Sequence, residues 1–164
     1  MIIRHFIYDA VVNGIASSYF CPNRIRTLIY RLWGHKIYGG LMSGCFLGAG
    51  KGRLSIGHGS YINYRCFLDL GDNITIGDNC SIAFNVTFIN STHELGPKER
   101  RAWEVKSHPI IVGNGVWIGA NVTIMPGVTI GNGCVVGSGS LVVKDCEPNS
   151  MYYGSPAKKI KEMQ

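Results

Sequence analysis

Charge is scarce in this chain. Asp, Glu, Lys and Arg make up 16% of 164 residues, where an ordinary soluble domain carries about 25%. Scarce charge with abundant glycine points to much buried backbone and many tight turns. Long apolar runs are also missing. The most apolar stretch, MIIRHFIYDAVVNGIASSYF at residues 1–20, is broken by Arg4, His5, Asp9 and Asn13. It therefore lacks the roughly 20 clean apolar residues of a spanning helix. It also lacks a clear small-residue cleavage site and a strongly basic start, which argues against a signal peptide. CxxC pairs are absent: the six cysteines, at 21, 45, 66, 80, 134 and 146, show neither zinc nor disulfide spacing. Free thiols imply a reducing compartment, so the expected location is the cytoplasm. No Lys/Arg run is interleaved with aromatics. Nucleic acid is thus the weakest of the partners that a net charge of +6 suits, behind an anionic ligand or a membrane face.

What the sequence does have is a six-residue rhythm. From residue 112 it reads VGNGVW, IGANVT, IMPGVT, IGNGCV, VGSGSL, VVKDC. The first positions are Val112, Ile118, Ile124, Ile130, Val136 and Val142, and the same beat appears earlier at Ile56, Ile62, Leu68, Ile76, Ile82 and Phe88. All are bulky and apolar. The fifth positions, among them Ser60, Cys66, Cys80, Val86, Thr92, Val116 and Cys134, are small or β-branched, except Asp72, where the beat slips. Helix does not fit a period of six with glycine and β-branched residues. Short strands separated by corners do. First and fifth positions share a parity and so point inward together, while Gly and Asn at corners tolerate positive φ. Three such sides close a triangular coil of about 18 residues, and coils stack about 4.8 Å apart as a parallel β-solenoid.

Three segments fall outside the beat. Residues 1–34 are predicted helical, with Ile25, Leu28, Ile29, Leu32 and Trp33 at helical spacing, Pro22 at the start and Gly34 at the stop. Arg24, Arg26 and Arg31 lie outside that apolar stripe. The segment is expected to cap the open end of the solenoid; the competing reading is a basic helix resting on a membrane surface. Within the solenoid, placed at 35–150, residues 94–111 form a charged loop leaving the coil. Residues 151–164 are a basic tail, read as a short helix or an extension.

The stretches YINYRCFLDL, NVTFINSTH, VWIGANVTIMPGVTIG, GSGSLVVKD and GSPAKKI resemble the galactoside and maltose O-acetyltransferases, a group of hexapeptide-repeat acyltransferases. The resemblance covers about two-thirds of the chain. It implies an all-β fold, a left-handed parallel β-helix with an N-terminal helical segment. It implies acetyl-CoA as cosubstrate, no metal, and a homotrimer with active sites between subunits. The family's catalytic histidine corresponds to His93, which removes the proton of a sugar hydroxyl as that oxygen attacks the thioester. An imidazole suits the task, because a sugar hydroxyl does not ionise at neutral pH without a positioned base. Glu94 is a candidate to orient the imidazole. Asn63 and Asp69 are the candidate acceptor contacts. Ala120, Ser138, Val143, Lys144, Lys158 and Lys161 match the family's coenzyme-contacting positions, with Trp117 lining the same slot.

The N-terminus departs from the galactoside and maltose enzymes, being more apolar. It resembles instead short acetyltransferases that modify surface polysaccharides or their precursors at the cytoplasmic side of the membrane. The competing functions are a streptogramin-type xenobiotic acetyltransferase, a zinc carbonic anhydrase on the same fold and a non-catalytic interaction solenoid. The remaining histidines, 5, 35, 58 and 108, match no family position and read as structural or surface residues.

Overall fold

The six-residue beat becomes a stack of two- and three-residue strands on three flat faces. The computed structural model describes residues 2–164, so of the N-terminal segment only Met1 lies outside it. The first face carries Lys36–Ile37, Leu54–Ile56, Ile74–Ile76, Ile110–Val112 and Thr129–Ile130 in one parallel sheet. The second carries Gly40–Leu41, Tyr61–Ile62, Ser81–Ile82, Trp117–Ile118 and Val135–Val136. The third carries Phe46–Leu47, Phe67–Leu68, Thr87–Phe88, Thr123–Ile124 and Leu141–Val142. First-position residues stack on one another: Ile62 on Ile82, Ile118 and Val136, and Leu68 on Phe88, Ile124 and Val142. All twelve are at most 1% exposed. They form one continuous apolar column, the main stabilising element of such a fold.

One coil precedes those read from the sequence. Ile37, Leu41 and Leu47 are equally buried and open the column. Their spacing of four and then six residues hides the beat. The fifth positions also behave as expected, with two corrections. Asp72 is not inward, because Leu70 fills that place. Thr92 is exposed, and the last inward residue before the excursion is Asn90. In both cases the chain turns inward two residues after the third-face strand. The buried cysteines act as small core residues whose thiols donate across coils, as Cys80 does to the Gly113 carbonyl at 2.9 Å.

The excursion is a β-arm rather than an irregular loop. Ser91–Leu95 pairs antiparallel with Ala102–Ser107, and its root closes where the His108 N–H donates to the Asn90 carbonyl at 2.8 Å. The tail is likewise an extension and not a helix: Ala157–Glu162 folds back on Ser150–Gly154, which continues the second face.

The N-terminal segment is helical. Helix α1 (Ile2–Tyr8) runs into a π-helical stretch, Asp9–Ala16, and α2 (Asn23–Leu32) follows. It caps the first coil, but only part of the expected stripe faces the core: Ile29 and Trp33 pack against it. Ile25, Leu28 and Leu32 are 51%, 57% and 75% exposed, whereas Arg26 and Tyr30 are buried. The edge of the solenoid explains this. Its first coil would leave backbone carbonyls unpaired on every face, a cost that burial of polar side chains removes. Arg31 Nε donates to the Ile37 carbonyl at 2.8 Å. Arg26 Nη1 donates to that of Leu41 at 3.3 Å. On the third face Asn13 imitates a backbone strand: its Nδ2 donates to the Leu47 carbonyl and its Oδ1 accepts the Leu47 N–H, at 3.0 and 2.9 Å.

Candidate active site

His93 stands in the first strand of the β-arm, two residues past the root at Ser91. Three contacts fix that root. The Ser91 N–H donates to Asp69 Oδ2 at 2.8 Å. Ser107 Oγ donates to Ser91 Oγ at 3.3 Å. Gly71 leaves room for both hydroxyls, since a Cβ there would lie 1.9 Å from Ser91 Oγ. Asp69 therefore braces the arm that bears His93.

The imidazole is exposed on this chain, and its Nδ1 lies 3.0 Å from the Trp103 carbonyl on the opposite strand of the arm. A carbonyl only accepts, so Nδ1 carries the proton in the neutral ring. The lone pair is then on Nε2, which points away from the arm's backbone contact and is able to accept a proton. Within this chain Glu94 is engaged elsewhere. Side chains alternate along a strand, and Glu94 pairs with Lys106 at 2.5 Å. A backbone carbonyl, rather than the neighbouring carboxylate, orients the ring.

The remaining candidates fall on two different corners of the triangle. Backbone bonds from Ile89 to Ile124 and from Met125 to Val142 stack Ile89, Met125 and Val143 along the corner after the third face. Val143 and Lys144 are thus on the same edge as the root of the arm, further along the stack, and both are exposed. The corner after the second face holds the other group. Asn63, Ala83, Gly119 and Gly137 stack there, and Ala120 and Ser138 follow directly in the chain. Trp117 is 58% exposed on the adjoining face, in a column with Val135 and Met151. Lys161 pairs with Met151 at the end of that column, and Lys158 pairs with Tyr153, whose ring lies over Gly137. A Cβ at Gly137 would meet that ring at 2.4 Å, and one at Gly119 would meet the Ser138 backbone nitrogen at 2.6 Å. This corner is therefore narrow at both levels. Asn63 Oδ1 accepts the Tyr64 N–H at 2.8 Å, which leaves its amide N–H₂ free to donate.

The structure thus separates the predicted residues into a base-bearing edge (His93, Asp69, Val143, Lys144) and a second edge (Asn63, Trp117, Ala120, Ser138, Lys158, Lys161). One chain does not bring the two together. The Trp103 carbonyl escaped sequence reading because any residue supplies a carbonyl. The β-arm does have a signal in the sequence: Trp103 and Val105 alternate with Glu104 and Lys106.

Comparison with known proteins identifies the family. Residues 109–144 match the family model of the bacterial transferase hexapeptide (six repeats). The galactoside O-acetyltransferase of Escherichia coli K12 is 43% identical over 110 residues, 67% of this chain and 54% of that protein. The sophorolipid acetyltransferase of Starmerella bombicola is 48% identical over 111 residues, 67% of this chain and 42% of its own. The chain spans about half the length of the curated relatives it matches. Among solved structures, a hexapeptide-repeat acetyltransferase from Vibrio cholerae superposes with a TM-score of 0.85 at 28% identity, over 99% of this chain and 92% of the other. A galactoside acetyltransferase in complex with coenzyme A gives 0.80 at 29% identity, over 99% and 82%. With the hexapeptide repeat, these homologues and the matching left-handed β-helix, the chain belongs to the hexapeptide-repeat acyltransferases, in the class of the galactoside and maltose O-acetyltransferases.

Proposed function

We propose that this protein transfers the acetyl group of acetyl-CoA to a sugar hydroxyl, with His93 as general base. The observation that carries the reading is the contact between His93 Nδ1 and the Trp103 carbonyl, which reserves Nε2 as the basic nitrogen. In the reaction Nε2 takes the hydroxyl proton while the oxygen attacks the thioester carbonyl. The tetrahedral intermediate then collapses, the C–S bond breaks, and the thiolate of CoA leaves with the proton returned from the imidazolium. Asp69 is a positioning residue, acting through Ser91. Asn63 offers its amide to the acceptor. Ala120 and Ser138 offer a narrow wall to the pantetheine arm and Val143 a contact from the base-bearing edge, while Lys144, Lys158 and Lys161 offer charge to the phosphates.

Coenzyme A in a related galactoside acetyltransferase and acetyl coenzyme A in a related Vibrio cholerae enzyme support the cosubstrate. The division of the candidate residues between two corners supports a homotrimer in which neighbouring subunits complete each site. The acceptor is read as a sugar unit of a surface polysaccharide or its precursor, handled at the cytoplasmic face of the membrane. Among the described residues no helix is long and apolar enough to cross a membrane. The outer surface of the cap supports peripheral contact: Phe20, Leu28 and Leu32 are exposed beside Arg24 and Arg31, which suits an anionic bilayer.

The test is acetyl transfer from acetyl-CoA to a panel of sugars, comparing wild type with His93→Ala. Loss of the base lowers kcat by at least about 10²-fold with little change in KM for acetyl-CoA. Equal rates in the two proteins would overturn the mechanism.

A further inference from the structure

Beside Asn63 the corner widens into an open groove that neither the repeat nor the coenzyme slot accounts for. Its volume is about 430 Å³, and Tyr19, Tyr64, Arg65 and Phe84 line it. Tyr19 comes from the N-terminal cap and stacks on Tyr64, ring centroids 6.2 Å apart and planes 19° from parallel. Phe84 is 44% exposed on the next coil. The backbone bond from Asn121 to Phe84, and that from Gly139 to Ala120, continue the same corner toward Ala120 and Ser138. The groove therefore lies in line with the proposed coenzyme slot, and its floor begins at the residue after Asn63.

Arg65 is the anomaly. It holds a left-handed backbone conformation, φ 59°. Stacked at the same corner of the other coils are Gly44, Asn85, Asn121 and Gly139, with φ of 73°, 57°, 58° and 73°. Those are residue types that accept this conformation readily. An arginine there costs about 1 kcal/mol. Nothing in the chain offsets it: among the described residues no carboxylate is within ion-pair distance of its guanidinium. A strained, unpaired cation at the mouth of an aromatic groove is the arrangement expected of a ligand contact.

We infer that this groove is an acceptor subsite for a sugar ring bearing an anionic group, a carboxylate or a phosphate. The aromatic faces of Tyr19, Tyr64 and Phe84 offer an apolar platform to the C–H face of a pyranose. The Arg65 guanidinium offers a planar fork of donors matched to a carboxylate or phosphate. The inference rests on the sugar-acylation reading above and narrows its substrate class.

The experiment compares kcat/KM for 4-nitrophenyl β-D-glucuronide and 4-nitrophenyl β-D-glucoside, with glucose 6-phosphate as a third arm that separates phosphate from carboxylate. Wild type and Arg65→Asn are assayed together. Asparagine suits the corner conformation, so misfolding is not a route to the result. A charge-assisted contact corresponds to a preference of roughly tenfold or more for an anionic acceptor, and Arg65→Asn brings that ratio to about one. A wild-type ratio near one, or a preference that survives in Arg65→Asn, overturns the inference while leaving sugar acylation standing. If no sugar is acetylated by either protein, the acylation reading fails and the subsite is judged by binding. Saturation-transfer NMR signals from the glucuronide or glucose 6-phosphate that vanish in Arg65→Asn then support it, and their absence in wild type overturns it.

Discussion

Lowering the pH from about 7.5 to about 5 is predicted to loosen the N-terminal cap through one residue, His35. This histidine is 3% exposed at the junction of cap and solenoid. Its Nδ1 accepts the Leu54 N–H at 3.3 Å, and its Nε2 lies 3.4 Å from Tyr8 Oη, which in turn donates to the Gly48 carbonyl at 2.8 Å. Protonating Nδ1 destroys the first of these bonds and places a charge in the core. Burial accordingly pushes the His35 pKa down from 6.5 to about 4. The sign follows from linkage. The unfolded chain binds the proton first, so the stabilisation is complete above the unfolded value and is lost as pH falls toward the folded one. Between about pH 7.5 and about pH 5 the loss amounts to ~2 kcal/mol, a large part of the stability of an ordinary domain. The assay is urea unfolding across that range at a fixed protomer concentration. Wild type is measured against His35→Gln, which has no ring to titrate. Wild type should lose ~2 kcal/mol more than the variant over the interval. Parallel profiles would refute the argument, because every other titrating group is common to both proteins.

Two further outcomes follow from the cap. Arg26→Leu removes donors from the buried Ala16 and Leu41 carbonyls and from those of Ser18 and Cys21; with some carbonyls rewetted, urea unfolding should show a loss of about 3 kcal/mol, against under about 0.5 for exposed Arg24→Leu. Co-sedimentation with phosphatidylglycerol vesicles should fall at least roughly tenfold for the double variant Phe20→Ser, Leu28→Ser, and should weaken with salt; binding that is unchanged would leave the exposed cap surface without a membrane role.

The solenoid was legible because its constraint repeats. Each of the twelve first positions meets the same requirement, an apolar side chain in a closed interior, so the beat at Ile56 to Val142 and the burial in the structure coincide. Legibility fails where the constraint is met once. Leu41 follows Ile37 by four residues and breaks the count. Arg26 reads as a solvated charge and is buried, since the reason for its burial lies in carbonyls of another segment that no local pattern reports. The stripe Ile25, Leu28, Ile29, Leu32 and Trp33 was visible, but helical spacing does not say which part of it meets the core: Ile29 and Trp33 do, and the other three stay exposed. At the candidate site, His93 was singled out by its motif, whereas the group that contacts its Nδ1 is a backbone carbonyl. Glu94 was suggested by adjacency and by the resemblance, and the alternation of a β-arm sends it to Lys106.

A triangular prism with different half-sites on two of its corners restricts how copies assemble. The base-bearing corner and the Ala120–Ser138 corner bound the same third face, along which Phe46 and Phe67 stack at 5.0 Å with planes 4° apart. The base-bearing edge carries His93 with Val143 and Lys144, while the Ala120–Ser138 wall stands on the other edge, so on the proposed reading one copy's His93 meets the other corner of a second copy. Such a contact joins unlike surfaces. It therefore cannot close as a two-fold dimer through one patch and must either close as a ring or continue as a filament. The homotrimer proposed above is the smallest such ring. On the same reading the base stands on a β-arm whose root is tied to the coil by Asp69 and Asn90, so its placement against the next copy's slot is set by hydrogen-bonded backbone.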